Sequence, residues 1–237
     1  MSQRLSGPTP MHWLGTDNFG RDLWSRIAYG SRISIGIALV SVGVATLIGT
    51  FVGLLAGYFG GALDHILMRL ADLFLGFPPF ILALALVAAL GPGTTSVTLA
   101  LIAVFWTEYA RMVRAITLSE SQRDYVTAAR AMGARDSRIA LLQILPRVLG
   151  PLTVLATLGI GTAIVSESGL SFLGFGIQPP APTWGWTLAY GMRYLRTDPW
   201  LSTVPGLAIM VTVLGFNLFG DGLRDRLDPR RRTAGKA

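Results

Sequence analysis

No charged side chain occurs between Arg32 and Asp64, and none between Asp72 and Glu108. Uncharged runs of this length constrain the chain more than any other feature. A helix needs about 20 consecutive apolar residues to cross a hydrocarbon core, and both runs exceed that. Charged residues make up 14% of the chain, against about 25% in soluble domains. A water-soluble domain and a disordered chain are both excluded. The unit of organisation is the membrane span.

Five spans follow from the runs. The first occupies Ile33 to Leu63 and carries Gly36, Gly43, Gly49, Gly53 and Gly57. Small residues let membrane helices pack closely where lipid supplies no hydrophobic drive. The second run divides at Gly91-Pro92-Gly93 into a span ending near Leu90 and a return span from about Thr95 to Met112. Phe77-Pro78-Pro79 predicts a break, because proline removes a backbone donor and clashes with the preceding turn. The segment before it, Ala62 to Gly76, places Asp64, His65, Arg69 and Asp72 at helical spacing, as in a half-immersed helix. A fourth span covers about Val148 to Val165. Ile177 to Trp200 reads as a polar and aromatic loop, and its tryptophans suit a membrane–water interface. The fifth span covers about Leu201 to Phe219.

Charge assigns the sides. The net charge is +7 and nearly all of the positive charge is arginine. Arginines cluster from Arg111 to Arg147 and again from Arg224 onward, which places both stretches in the cytoplasm. In so apolar a chain the basic excess points to cytoplasmic loops rather than nucleic acid. Five spans then put the N-terminus outside, where Arg4, Arg21, Arg26 and Arg32 conflict with the same rule. Either that weak bias is overruled or a further span precedes Met1. The chain has no cysteine and two histidines. Disulfides, thiolate chemistry and a multi-histidine metal site are therefore absent. Lys236 is the only lysine and is followed by Ala237, so there is no P-loop.

Four separated tracts resemble one family. They are His12-Trp13-Leu14-Gly15-Thr16-Asp17 with Gly20-Arg21-Asp22; Asp124-Tyr125-Val126-Thr127-Ala128-Ala129-Arg130-Ala131-Met132-Gly133 with Ile144-Leu145-Pro146; Gly169-Leu170-Ser171-Phe172-Leu173-Gly174; and Phe216-Asn217-Leu218-Phe219-Gly220-Asp221 with Leu227-Asp228-Pro229-Arg230. Together they are similar to the dipeptide/oligopeptide/nickel permeases of ATP-binding-cassette (ABC) importers, of the second permease subunit type. The resemblance implies an all-α polytopic helix bundle of the type I importer kind. It implies a non-catalytic subunit forming half of a path for short peptides or a small solute such as a nickel chelate. The implied partners are a second permease, two ATPase subunits that use the ATP, an external solute-binding protein and the lipid membrane. No cofactor is expected on this chain. The implied location is a bacterial or archaeal inner membrane, with the C-terminus cytoplasmic. Members usually carry one more span before the Gly-Thr-Asp tract, so an apolar span is expected upstream of Met1. The domain reading is an outer-face segment over 1–31, a transmembrane domain over 32–220 with a coupling loop at about 113–147, and a basic tail over 221–237.

Within that loop the family pattern is Glu-Ala-Ala-x-x-x-Gly followed by Ile-x-Leu-Pro. Ala128, Ala129, Gly133, Leu145 and Pro146 fit it, while Thr127 stands for the glutamate and Gln143 for the isoleucine. Asp124 or Glu120 would have to supply the missing acid. Small residues at Ala128 and Ala129 suit docking in a partner's groove, Gly133 suits a left-handed helix end, and Pro146 suits the start of the next helix. Outside the loop, Asp22 and Arg26 are spaced to pair on a helix. Glu108, Glu167 and Ser168 are candidates for the translocation path, since an acid at membrane depth is a functional hypothesis by default. Against a path role, Glu108 is expected to pair with Arg111; Glu167, in a Gly- and Ser-rich segment open to unwinding, is read as lining the path or binding the permease partner, with structural pairing as the alternative. Alternatives of another class are an ion-gradient transporter, for which no internal repeat is found, and a membrane scaffold.

Overall fold

The computed structural model describes residues 4–227; Asp228, Pro229 and the Arg230–Lys236 cluster lie outside the described residues. Among the described residues the structure is helical, with one isolated antiparallel bridge between Thr16 and Asp22. The helices are α1 (Leu23–Phe59), α2 (Gly61–Leu75), α3 (Pro79–Leu90), α4 (Thr94–Ser121), α5 (Asp124–Ala131), α6 (Asp136–Arg138), α7 (Leu145–Phe172), α8 (Trp184–Gly191) and α9 (Trp200–Leu227). A π-helical stretch, Ile139–Ile144, joins α6 to α7. Pro146 has no N–H to donate and its ring opposes a regular α turn before it; the wider π ladder lies at that place.

Four stretches, α1, α4, Asp136–Phe172 and α9, are long and apolar enough to cross a membrane, and the bent pair α2–α3 makes a fifth if it counts as one span. The expected break at Phe77-Pro78-Pro79 is present, with the two helices bent by 85°. The 12 residues of α3 reach only about 18 Å at 1.5 Å per residue, short of a core of about 30 Å.

Three boundaries differ from expectation. Helix α1 begins at Leu23, so the 31/32 boundary falls inside a helix. Arg26 and Arg32 enter it because Arg26 approaches Asp17 and Arg32 lies over the Tyr29 ring. Helix α7 continues through Glu167 to Phe172 without unwinding, its serines absorbed by the helix itself, as where Ser166 Oγ donates to the Thr162 carbonyl at 2.9 Å. The Ile177–Trp200 loop contains α8, capped by the Thr183 hydroxyl, which accepts from Trp186 N at 3.2 Å.

The chain divides into two compact units. One comprises Met1–Ser41, Ala83–Leu101 and Ile160–Phe216; the other comprises Val42–Leu82, Ile102–Gly159 and Asn217–Ala237. In the first unit, Leu23, Val97, Ile164 and Leu170 are fully buried. Trp184 Nε1 donates to the Ile27 carbonyl at 2.9 Å, and Gly30 leaves room for the indole: a Cβ there would lie 3.1 Å from Trp184 Cδ1. In the second unit, α1 and α4 meet along Gly49, Gly53 and Gly57. A Cβ at Gly53 would lie 2.5 Å from the Ala110 carbonyl oxygen, and one at Gly57 2.7 Å from that of Arg114. Gly36 and Gly43 face open space instead. Helix α2 is tied to α4 by Asp64 with Arg114 and by Asp72 with Arg111. Arg111 therefore pairs with Asp72 rather than with Glu108, because α2 brings a carboxylate to it.

Candidate functional site

Helix α5 stands alone between α4 and the α6–α7 stretch in the second unit, and its ends are determined by sequence. It closes in a Schellman turn: Gly133 N donates to the Arg130 carbonyl at 2.9 Å and Ala134 N to the Ala129 carbonyl at 3.0 Å. This requires a left-handed residue after the helix, and Gly133 has φ +80°. A Cβ there would meet nothing within 4 Å, so the glycine answers to backbone conformation alone.

Two polar clusters hold α5 in place. Glu120, at the end of α4, is 7% exposed. One of its oxygens lies 3.0 Å from Arg123 Nε; the other lies 3.3 Å from Arg147 Nε and accepts the Tyr125 hydroxyl at 2.8 Å. Arg147 also lies over the Tyr125 ring, 4.9 Å from its centroid. Burial and then the bond to Glu120 push the Tyr125 hydroxyl above its ordinary value, which keeps it a donor. In the second cluster the Tyr58 hydroxyl donates to Asp136 at 2.6 Å and Arg130 lies over the Tyr58 ring.

These contacts sort the predicted loop residues into two faces. Val126 and Ala129 are buried; Asp124, Thr127 and Ala128 are exposed. Ala129, expected on the docking face with Ala128, is instead buried in this structure, because the Tyr58 and Glu120 clusters turn that face inward. Glu120 is consumed by its arginines and Tyr125, which leaves Asp124 as the exposed acid of α5. Leu145 is half-buried and Pro146 exposed. On either side of Gly133 apolar side chains reach the surface: Met132, Leu141 and Leu142 are all more than half exposed. Leu141 and Leu142 border an open depression shared with Arg135 and Arg138.

The candidate path residues separate. Glu167 and Ser168 are buried in the first unit. Glu167 Oε1 accepts from Ser171 Oγ at 2.8 Å, and the Ser34 and Ser168 hydroxyls face the same carboxyl. Glu108, in the second unit, is exposed on α4. The expected Asp22–Arg26 pair does not form. Asp22 precedes α1 and caps it, accepting from Ser25 N at 2.8 Å and contacting His12 Nδ1 at 3.0 Å. Burial raises its carboxyl, but the Ser25 and His12 bonds outweigh that and hold it below its ordinary value. No group of three or more potential metal-ligating side chains occurs among the described residues.

Sequence reasoning missed the anchoring roles of Tyr58, Asp136 and Arg147. Their partners are distant in sequence, so no local spacing signals them.

Residues 49–233 match the family described as the binding-protein-dependent transport system inner membrane component. The chain is 44% identical over 232 residues to the dipeptide transport system permease protein DppC of Alkalihalophilus pseudofirmus, covering 98% of this chain and 76% of that one. It is 44% identical over 227 residues to the glutathione transport system permease protein GsiD of Pectobacterium atrosepticum, covering 96% and 75%. Among solved structures, the inward-facing MetNI methionine ABC transporter superposes with a TM-score of 0.71 at 20% identity, over 87% of this chain and 98% of that chain. An amino acid ABC transporter gives 0.67 at 15% identity, over 86% and 94%. At such identities these two show the fold alone. The ion-gradient and scaffold alternatives find no support in any of these relatives. The chain belongs to the binding-protein-dependent transport family, as a multi-pass membrane permease subunit of the dipeptide and oligopeptide type of ABC importer.

Proposed function

We propose that this chain forms half of a path for short peptides and that the outward face of α5 receives the motion of an ATPase subunit. The observation that carries the coupling role is the construction of α5. It is a short helix between two spans, clamped by Glu120 on one face and ended by Gly133, with Asp124, Thr127 and Ala128 exposed on the other. Such a piece transmits a push because it is rigid at its root and small at its contact face. The apolar surface of Met132, Leu141 and Leu142 extends the docking area. A second permease subunit completes the path, two ATPases hydrolyse the ATP, and an external binding protein delivers the solute. Arginine clustering supports a cytoplasmic position for α5 and the end of α9. The names of the relatives support a peptide substrate.

The test is uptake by the complete complex in proteoliposomes. ATP-dependent accumulation of a labelled dipeptide, requiring the external binding protein, is the expected result. Accumulation driven by an ion gradient without ATP would overturn the reading.

A further inference from the structure

The first unit contains a cavity of about 320 Å³ that includes Asp17, Phe19, Arg21, Arg26, Trp186 and Tyr190 in its lining. Its volume falls within the range of small-molecule sites, about 300–1,000 Å³. The charges in it do not balance. Asp17 is already engaged: one oxygen accepts from Phe19 N at 2.8 Å and Arg21 N at 2.9 Å, and the other takes Arg21 Nε at 2.7 Å. Arg26 has only the edge of that carboxylate, 3.8 Å from Nε, although its side chain is just 12% exposed. Its guanidinium makes no hydrogen bond of ordinary length among the described residues. One carboxylate thus serves two guanidinium groups, and the half-buried Arg26 lines the cavity with its guanidinium held only by the longer of the two contacts. A second carboxylate would satisfy it, because the guanidinium fork matches carboxylate geometry.

The rest of the wall is aromatic. The Phe19 and Tyr190 rings lie 6.2 Å apart, Arg21 is stacked over Phe19 at 4.6 Å, and Trp186 adds a third ring. A ligand suited to this wall carries an anionic end and an apolar or aromatic body. We propose that the cavity binds the C-terminal residue of a short peptide, with its carboxylate on Arg26 and its side chain among Phe19, Trp186 and Tyr190. This rests on the peptide-permease reading and adds to it a point on this chain that selects a free C-terminus.

The test uses the complete complex in nanodiscs, without nucleotide or binding protein, titrated by calorimetry with alanyl-phenylalanine and with its C-terminal amide. The acid is expected to bind roughly tenfold or more tightly than the amide, the usual worth of a hydrogen bond to a charged group. Arg26→Gln should erase that preference, and Arg26→Lys should keep part of it. Phe19→Ala, at a rim position 58% exposed, should weaken alanyl-phenylalanine several-fold and alanyl-glycine less. Should Arg26→Gln fail to assemble, Arg26→Lys and Phe19→Ala decide the matter. Equal binding of acid and amide, no binding to the unmodified complex, or an unchanged Phe19→Ala would overturn the site. Continued ATP-driven uptake in that case would leave the permease reading intact, whereas loss of uptake by the unmodified complex would overturn the reading itself.

Discussion

Asp22 shows how a single side chain sets where a span begins. Its carboxylate caps the first turn of α1 and meets His12, so Asp22→Ala should cost about 1 kcal/mol through the lost cap. Asp22→Asn should cost less. The sign with pH follows from the lowered folded value. The carboxylate's contribution is present above the unfolded value, near 3.8, and is lost as pH falls through the lower folded value. Thermal unfolding in detergent should show an acid-side loss that Asp22→Asn lacks. Glu120 is the second such residue. Glu120→Gln weakens its contacts to Arg123 and Arg147, and hydrogen exchange over Arg123–Ala134 should quicken roughly tenfold or more, as expected for weakened bonds to a charged group. Exchange unchanged from the parent chain would remove Glu120 from its anchoring role. The sequence paired Asp22 with Arg26 by helical spacing, whereas its partners are the Ser25 backbone and His12; for Glu120 it named no partner within the chain, and Arg147 and Tyr125 come from beyond α4.

At the scale of elements, glycines divide into those that pack and those that turn. Gly53→Leu should prevent α1 from meeting α4 and abolish recovery of folded protein, because the Ala110 backbone already stands where a Cβ would go. Gly36→Ala should be tolerated, with a gain of roughly 0.5–1 kcal/mol in an open helical position. Expression and thermal stability of the two variants check the contrast. Gly133 works differently. Gly133→Val forces a β-branched residue into φ +80°, at a cost on the order of 1–3 kcal/mol, and should uncouple ATP hydrolysis from uptake. Gly133→Asn should retain most uptake, because asparagine visits that region and the space is open. Equal loss in both would mean that bulk, not backbone, is what the position excludes. The spans were legible in the uncharged runs, as were the break at Phe77-Pro78-Pro79 and the turn at Gly133, because each depends on local composition. The start of α1, the continuity of α7 through Glu167 and the presence of α8 were not. Each is stabilised by contacts such as Arg26 with Asp17 or Trp184 with Ile27 that no local pattern encodes.

For the whole molecule, family membership and the helical fold agree with what four separated tracts implied, and the structure changes how the functional loop is read. Ala128 and Ala129 are adjacent in sequence, yet the two anchoring clusters turn one outward and the other inward. The account therefore rests on a directional claim that a consensus pattern does not contain: the partner ATPase touches the Asp124–Thr127–Ala128 face and not the Ala129 face. The chain has no native cysteine, so single cysteines report cleanly. In the assembled complex, a photoreactive maleimide carried on Ala128→Cys should cross-link to an ATPase subunit. The same probe on Ala129→Cys should be poorly reactive and give no such product. Cross-linking from Ala129→Cys alone, or labelling of Ala128→Cys in intact cells by a membrane-impermeant reagent, would contradict the account.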